Sequence, residues 1–334
     1  MEQKICNIAI DAGGTKVIAL VYDENFNLIS THRTGSVRSN TTPRDVIERN
    51  IENLINEMNI EGYVIKRISG WFEGVPIGRF EQICTVESVQ VWGEMELGLY
   101  AAEIFGDGYL ALSGTGATGF GYIDGKGYAI GGYGAAVSDE GSGYWIGREA
   151  FDAAIAYDQE RGESTLLRDL IIEKFSASGD TLRNAIFKLY GKKDASPTSW
   201  VASCAKLVSE AAEHGDEIAI AILKEAAQRL ASQMMAMIKK ERLPKNCPMT
   251  ISGSVWRGHA TLINEFRKVL RELGFEGDII IPAFEPIVGA IIKHYYEVHG
   301  SFGDETREKF KKEYSMHTFC VSDEIEATAD IIYR

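Results

Sequence analysis

The sequence contains little cysteine and histidine and no long apolar run. Its five cysteines are scattered, and none belongs to a CxxC pair. The usual spacing of zinc or iron–sulfur ligands is therefore missing, and we expect reduced thiols. No stretch approaches the roughly 18 apolar residues of a membrane-spanning helix. The apolar segment near the N-terminus is too short for a secretion signal, so we expect a cytoplasmic protein with no membrane partner.

Positive charge is also scarce. The chain has 35 Lys and Arg against 48 Asp and Glu, a net charge of -13. This balance argues against a nucleic-acid partner, which would require clustered basic residues. An acidic protein can still bind phosphate groups, because a local loop or a metal ion overrides the overall field. A length of 334 residues suggests two domains.

The order of predicted elements repeats along the chain. Residues 4–30 predict strands joined by a Gly-Gly turn, followed by an amphipathic helix with Pro43 in its first turn and by another strand. The pattern starts again at residue 109, with a second glycine-rich hairpin. We therefore predict an α/β protein of two domains with a cleft between them. The helix in "EMELGLYAAEIFG" is expected to end on its glycine, and the last 30 or so residues fit no element.

Three glycine-rich loops carry the candidate chemistry. In "IDAGGTKV", glycine backbone can approach an anion, and Asp11 is placed to hold a hydrated Mg²⁺. "LSGTGATG" offers a second set of backbone and hydroxyl donors, and "ISGSVWRG" suits an adenine ring against backbone. Each loop is also compatible with an ordinary turn. The nucleotide candidates in the two phosphate loops are Asp11, Gly13, Gly14, Thr15, Lys16, Gly114, Thr115 and Gly116.

The order and spacing of these loops resemble those of the sugar kinase–Hsp70–actin superfamily. More narrowly, "LSGTG", "GGYG", "SDEGSGYWIG" and "SGSVW" resemble the N-acetylglucosamine kinase group, which includes the BadF/BadG/BcrA/BcrD ATPases. The resemblance covers roughly residues 5–295. It implies two ribonuclease-H-like (actin-like ATPase) domains flanking a nucleotide cleft, with ATP and Mg²⁺ as cofactors and a homodimeric assembly. The expected domains are residues 1–111 plus about 286–334, on the acceptor side, and residues 112–285, on the adenosine side.

The same resemblance assigns further site residues. Thr15 and Thr115 would contact the nucleotide phosphates. Ala202, Gly253 and Ser254 would lie beside the adenosine. The acceptor pocket would be formed by Asn40, Ala117, Thr118, Gly132, Tyr133, Gly134 and Asp139.

The expected catalytic base departs from the family pattern. Sugar kinases of this type use an Asp at the start of a helix to take the proton from the attacking hydroxyl. The corresponding position here is Glu94, with Glu96 as a neighbouring candidate. Both glutamates are equally compatible with first-turn residues that interact with the helix dipole. Trp71 and Phe72 replace a small glycine-rich run of the family, either as substrate contacts or as core residues.

The sequence therefore favours an ATP-dependent kinase that phosphorylates a hydroxyl of an amino sugar such as N-acetylglucosamine, or of a related small molecule. Two alternatives stay open. One is a non-catalytic regulator that binds sugar or nucleotide, which the departure at Glu94 allows. The other is a BadF-type ATPase without its iron–sulfur cluster, since the cysteines offer no obvious ligand set.

Overall fold

A computed structural model describes residues 4–13, 16–39, 42–135, 137–176, 180–190 and 197–334. The chain forms two compact units. The first contains the residues up to 105, together with 282–319 and 333–334, and the second contains 106–281 and 320–332. The first boundaries lie a few residues from those expected at 111/112 and 285/286. Residues 320–332, however, belong to the second unit.

The strands are β1 (Ile5–Ala12), β2 (Lys16–Tyr22), β3 (Leu28–Gly35), β4 (Val64–Trp71), β5 (Thr85–Val86), β6 (Val89–Val91), β7 (Gly108–Ser113), β8 (Ala117–Ile123), β9 (Lys126–Gly131), β10 (Met249–Ser252), β11 (Ile279–Ile281) and β12 (Ile331–Tyr333). The helices are α1 (Arg44–Met58), α2 (Gly78–Glu81), α3 (Glu94–Ala101), α4 (Gly143–Asp158), α5 (Leu167–Phe175), α6 (Leu182–Tyr190), α7 (Pro197–Ser203), α8 (Ala205–Glu213), α9 (Glu217–Glu241), α10 (Thr261–Glu272), α11 (Pro286–His299) and α12 (Asp304–Glu313).

The sheet of the first unit has the order β3-β2-β1-β4-β5, and β6 also pairs with β4. β1 to β3 are antiparallel, whereas β4 runs parallel to β1. Both faces of β1 are covered by apolar residues, which explains why its sequence is a nearly continuous apolar run. Ile8 and Ile10 pack on the side of α1, and Ala9 packs on the side of α11. Phe72 belongs to the α1-side core, which confirms the interpretation of this residue as a core residue.

The second unit repeats this topology. Its sheet has the order β12-β11-β10-β7-β8-β9, with β7 to β9 antiparallel and β10 parallel to β7. The series β9-β8-β7-β10-β11 corresponds strand for strand to β3-β2-β1-β4-β5. The predicted repeat of an α/β unit is therefore confirmed. In each unit a glycine-rich hairpin follows the first strand.

The helix α3 ends differently from the prediction. Its last residue is Ala101, well before Gly106. The left-handed backbone position that follows is taken by Glu103, with φ of 58°. Glu103 is buried, and its carboxylate receives a hydrogen bond of 2.7 Å from Arg307 Nη2. This tertiary ion pair stabilises a glutamate at a position where glycine is the usual residue.

The C-terminal segment, which the sequence left without an element, contributes to both units. The helix α12 buries Phe310 in the core of the first unit, and Tyr314 donates a hydrogen bond of 2.8 Å to the carbonyl oxygen of Phe26. The chain then adds β12 to the edge of the second sheet. Asp330 fixes this edge, because its carboxylate accepts a hydrogen bond of 2.8 Å from Arg267 and another from Arg271. These contacts explain why residues 320–332 join the second unit.

Candidate active site

Asp11 lies near the end of β1, where the first glycine-rich loop begins. It is aligned with Trp71 of the parallel strand β4, so both residues lie at the carboxyl edge of the sheet, the usual position of ligand sites in such folds. The pKa of Asp11 is raised to about 7, mainly by burial and also by the charges of Glu94 and Glu285, while the charges of Lys16 and Arg38 act to lower it. Gly13 follows the last residue of β1, whereas Gly14 and Thr15 lie outside the described residues.

The two glutamates at the start of α3 have different surroundings. Glu96 Oε2 accepts a hydrogen bond of 2.6 Å from the backbone N–H of Gly93, so Glu96 stabilises the N-terminal end of α3. Glu94 is half-buried, and burial raises the pKa of its carboxyl group, while the charge of Arg38 lowers it. The first-turn interpretation therefore fits Glu96. Of these two glutamates, Glu94 is the one whose charge acts on Asp11.

A cavity of about 620 Å³ lies between the loop after β3, the first turns of α1 and the loop after β4. Its lining includes Arg38, Thr42, Glu48 and Glu73. Asn40, the expected acceptor residue in this loop, lies outside the described residues. Arg38 was not singled out from the sequence. Its only signal there is a positive charge two residues before Asn40.

Glu285 is a second residue that sequence reasoning missed. It precedes the first turn of α11, and its carboxylate contacts His317 Nδ1 at 3.4 Å. α11 packs closely on α3, because a Cβ atom at Gly289 would lie only 2.2 Å from the carbonyl oxygen of Leu97. This close approach occurs one turn into each helix and places their N-terminal ends near each other. Glu285 and Glu94 consequently both act on Asp11.

In the second unit, the loop between β7 and β8 is held by backbone hydrogen bonds. The N–H of Gly114 donates to the carbonyl oxygen of Gly116 (2.9 Å), and Tyr144 N–H donates to that of Thr115 (3.2 Å). The Thr115 side chain is exposed, whereas Ala117 is buried. The loop is therefore fixed by its backbone while the Thr115 hydroxyl faces solvent, an arrangement that suits an oxygen-rich anion.

The structure brings the predicted adenosine residues next to this loop. Gly143, the first residue of α4, donates its N–H to the carbonyl oxygen of Gly114 (2.8 Å). A Cβ atom at Gly143 would meet the carbonyl oxygens of Gly114 (3.0 Å) and Ala202 (3.4 Å). Gly253 has φ of 103°, and a Cβ there would lie 2.1 Å from the carbonyl oxygen of Ser113. Ser254 follows on the surface. Gly114, Ala202 and Gly253 thus converge, and Gly143, which was not predicted individually, lies between them.

Asp139 connects the two glycine-rich segments of this unit. Its buried carboxylate accepts a hydrogen bond from the N–H of Gly134 (3.2 Å) and another from the N–H of Ala117. Burial raises its pKa. A Cβ atom at Gly116 would lie 2.5 Å from Asp139 Oδ2, so a larger residue there would displace this carboxylate. Asp139 thereby fixes the position of the expected phosphate loop.

The remaining expected acceptor residues lie at the end of β8 and after β9. A Cβ atom at Gly132 would lie 2.8 Å from Thr118 Oγ1, which places these two residues side by side. Tyr133 is 79% exposed between Gly132 and Gly134, whose φ angles are 72° and 95°. The two flanking glycines have left-handed φ angles that glycine adopts most readily, and the large aromatic side chain between them is exposed to solvent.

The donor atoms of the first unit fit a magnesium ion. Within the described residues, no group of three or more His, Cys, Asp or Glu side chains converges as a metal site. Mg²⁺ does not require such a group, because it is commonly held by one or two carboxylates together with water and substrate phosphates. Asp11, at the carboxyl edge of the sheet, provides a hard oxygen donor of this kind.

The model of the BadF/BadG/BcrA/BcrD ATPase family matches residues 8–292. The chain belongs to this family. The resemblance found in the sequence motifs is thereby confirmed. The match ends within α11, so α12 and β12 lie beyond it.

Two relatives of this chain are named as kinases. The chain is 28% identical over 279 residues to an N-acetylmuramic acid/N-acetylglucosamine kinase of Clostridium acetobutylicum, a match covering 79% of this chain and 89% of the relative. It is 26% identical over 315 residues to an N-acetyl-D-glucosamine kinase of Dictyostelium discoideum, covering 85% and 96% of the two chains.

Solved structures confirm the fold. The protein aligns with a candidate N-acetylglucosamine kinase from Porphyromonas gingivalis with a TM-score of 0.66 and 14% identity, over 88% of this chain and all of the other. A ROK family glucokinase from Streptomyces griseus aligns with a TM-score of 0.51 and 16% identity, over 86% and 97%. The predicted architecture of two α/β domains is therefore correct.

Among the described residues, no helix is long and apolar enough to cross a membrane.

Proposed function

We propose that this protein is an ATP-dependent kinase that phosphorylates a hydroxyl group of an amino sugar such as N-acetylglucosamine, or of a related small molecule. The names of both curated relatives support this class of substrate. The observation that carries the proposal is Glu94, a half-buried carboxylate with a raised pKa that acts on Asp11 and shares Arg38 with the 620 Å³ cavity. Transfer to a small alcohol requires a base and a cavity that can hold the acceptor.

The nucleotide half of the proposal rests on two loops. Asp11, Gly13, Gly14, Thr15 and Lys16 in the first unit, and Gly114, Thr115 and Gly116 in the second, would bind the phosphate groups. Ala202, Gly253 and Ser254 would lie along the adenosine, where the backbone around Gly143 is closely packed. A loop whose backbone is held by its own hydrogen bonds needs little reorganisation to present other donors, such as the Thr115 hydroxyl, to developing charge. Asp11 would hold Mg²⁺ through water, and the ion would neutralise phosphate charge.

Glu94 would act as the base. The acceptor hydroxyl transfers its proton to the Glu94 carboxylate as its oxygen forms a bond to the γ-phosphorus, and the bond to the β-phosphate oxygen breaks to release ADP. The raised pKa suits this role, because a base that titrates closer to neutral pH accepts a proton more readily. Asn40, Ala117, Thr118, Gly132, Tyr133, Gly134 and Asp139 would contribute to acceptor binding.

Further parts of the proposal concern assembly and location. We assign the first unit to acceptor binding and the second to adenosine binding, and we expect a cytoplasmic homodimer. The scattered cysteines do not favour an iron–sulfur ATPase. The five cysteines lie on separate segments and all are free thiols.

The test is a coupled assay of ADP release with N-acetylglucosamine, N-acetylmuramic acid, glucosamine and glucose, each compared with a reaction lacking sugar. Sugar-dependent ADP release, confirmed by phosphosugar detection, supports the proposal. Equal ADP release without sugar would identify an uncoupled ATPase instead. Sugar and nucleotide binding without turnover on any acceptor would identify a regulator.

A further inference from the structure

Arg38 connects the cavity of the first unit with the candidate base. Its side chain lines the 620 Å³ cavity. Its positive charge lowers the pKa of Glu94 and also that of Asp11. Arg38 therefore both borders the cavity and exerts its charge on these two carboxylates.

The backbone around Arg38 is fixed. The N–H of Arg38 donates to Ser36 Oγ (3.2 Å), and its carbonyl oxygen accepts a hydrogen bond of 3.0 Å from the N–H of Thr42. Asn50 of α1 donates to the carbonyl oxygen of Ser36 (2.9 Å), and the neighbouring Val37 is only 2% exposed. These hydrogen bonds hold the backbone from which the Arg38 side chain extends, so less backbone ordering is needed when a ligand binds.

The other charged residues of the cavity are placed differently. Glu48 accepts a hydrogen bond from Arg79 at 2.5 Å, so its charge is already compensated within the protein. Arg44 and Glu73 are exposed, and Arg44 belongs to the outer first turn of α1. Arg38 is half-buried and is the arginine whose field reaches the base.

We propose that Arg38 binds the acceptor directly and holds its reacting hydroxyl at Glu94. This inference rests on the proposed kinase function. A guanidinium group offers five N–H donors in a planar arrangement, which match neighbouring hydroxyl and carbonyl oxygen atoms of an N-acetylated sugar. An acceptor held at two such atoms has a fixed orientation toward the base. Arg38 is then a determinant of acceptor specificity that acts on the sugar and not on ATP.

The experiment compares Arg38→Gln and Arg38→Lys with Arg49→Gln. Arg49 lies in the neighbouring helix α1, is exposed, and pairs with the exposed Asp45, so it serves as a matched control. For Arg38→Gln, we expect kcat/KM for the sugar to fall about a hundredfold and KM for ATP to change less than about threefold. Arg38→Lys should recover part of the loss, because it keeps the charge but not the planar donor set. Calorimetric titration with N-acetylglucosamine alone should show the same order of sugar affinities.

Three results would overturn the inference. One is a kcat/KM for the sugar within about threefold of the wild type in Arg38→Gln. Another is an equal loss for ATP and sugar, which would indicate a structural role. The third is the absence of any sugar binding by the wild type. If the wild type binds sugar without turnover, the kinase function fails, and the titrations of the variants still decide the role of Arg38.

Discussion

At the scale of single residues, two glutamates of α3 illustrate how surroundings decide chemistry. Glu94 and Glu96 are two positions apart in one helical turn. Glu96 is engaged by the backbone N–H of Gly93, which an ionised carboxylate accepts favourably at a helix start. Glu94 is desolvated and faces the field of Arg38 instead. The same side chain is therefore a structural cap at one position and a candidate base at the other.

The fall in kcat/KM at low pH should report the protonation of Asp11 and Glu94. Burial raises the pKa of Asp11 to about 7 and also raises that of Glu94, so both groups take up protons at a higher pH than ordinary carboxyl groups. The proposed transfer requires both as anions. We therefore expect kcat/KM for the sugar to decrease as the pH falls below about 7, and not only below about 4 where unperturbed carboxyl groups titrate. An activity that is constant down to about pH 5 would contradict this expectation.

Substitution separates the two glutamates. Glu94→Gln removes the base and should lower kcat about a hundredfold or more. Glu96→Ala should leave kcat within a few-fold, and should lower the free energy of unfolding by about 1 kcal/mol through loss of the hydrogen bond to Gly93. Steady-state kinetics and denaturant unfolding measure the two effects. Turnover by Glu94→Gln within a few-fold of the wild type would show that Glu94 is not the base.

At the scale of elements, the approach of α11 to α3 determines where their N-terminal ends lie. The contact depends on Gly289, since the carbonyl oxygen of Leu97 belongs to the helix backbone and cannot move aside as a flexible side chain would. Glu94 lies at the start of α3, about one turn before Leu97, and Glu285 lies at the start of α11, about one turn before Gly289. The packing of two helices thus brings separate parts of the chain to Asp11.

Gly289→Ala tests this packing. The added methyl group forces the helices apart, and we expect the free energy of unfolding to fall by about 1–3 kcal/mol, together with a lower kcat. Gly106→Ala is the control, because the space around Gly106 is open and its backbone is not left-handed. Thermal unfolding and the ADP-release assay measure both. Equal behaviour of the two variants would indicate that the contact does not position α3.

Local patterns predicted many of these elements correctly. The hairpin around "DAGGTK" and the strand–glycine–helix arrangement of "ISGSVWRG" depend on backbone preferences within a few residues, and both are present. The end of α3 was predicted incorrectly, because Glu103 occupies the left-handed position with the help of Arg307, which is distant in sequence. A glycine rule based on local preference cannot include such a partner.

At the scale of the whole molecule, the residues that follow the family match belong to both units. The helix α12 is part of the first unit, and most of the later residues belong to the second. The helix α12 covers an aromatic cluster that contains Phe26, Phe302 and Phe310. Arg307 of this helix contacts both carboxylate oxygens of Glu103, whose side chain is only 4% exposed. The C-terminal segment is therefore part of the folded core of the first unit.

Arg307→Gln should consequently destabilise the protein. The variant leaves the buried carboxylate of Glu103 without its charged partner, which typically costs about 3–5 kcal/mol. Lys311→Gln on the same helix is the control, because its ion pair with Glu308 is exposed and should contribute no more than about 1 kcal/mol. Denaturant unfolding of the two variants is the measurement. Similar midpoints would show that α12 contributes little to stability.

The sequence by itself determined the repeated α/β order, the glycine-rich hairpins and the membership of the family, because these depend on short-range backbone preference and on motifs written along the chain. It also indicated Glu94 as the candidate base, with Glu96 as the neighbouring candidate. The tertiary structure showed that Glu96 is engaged by the backbone of Gly93, identified Arg38 and Glu285 as charges that act on Asp11, and gave the last residues their positions. Those features arise from burial and charge between segments up to hundreds of residues apart, which no local pattern encodes.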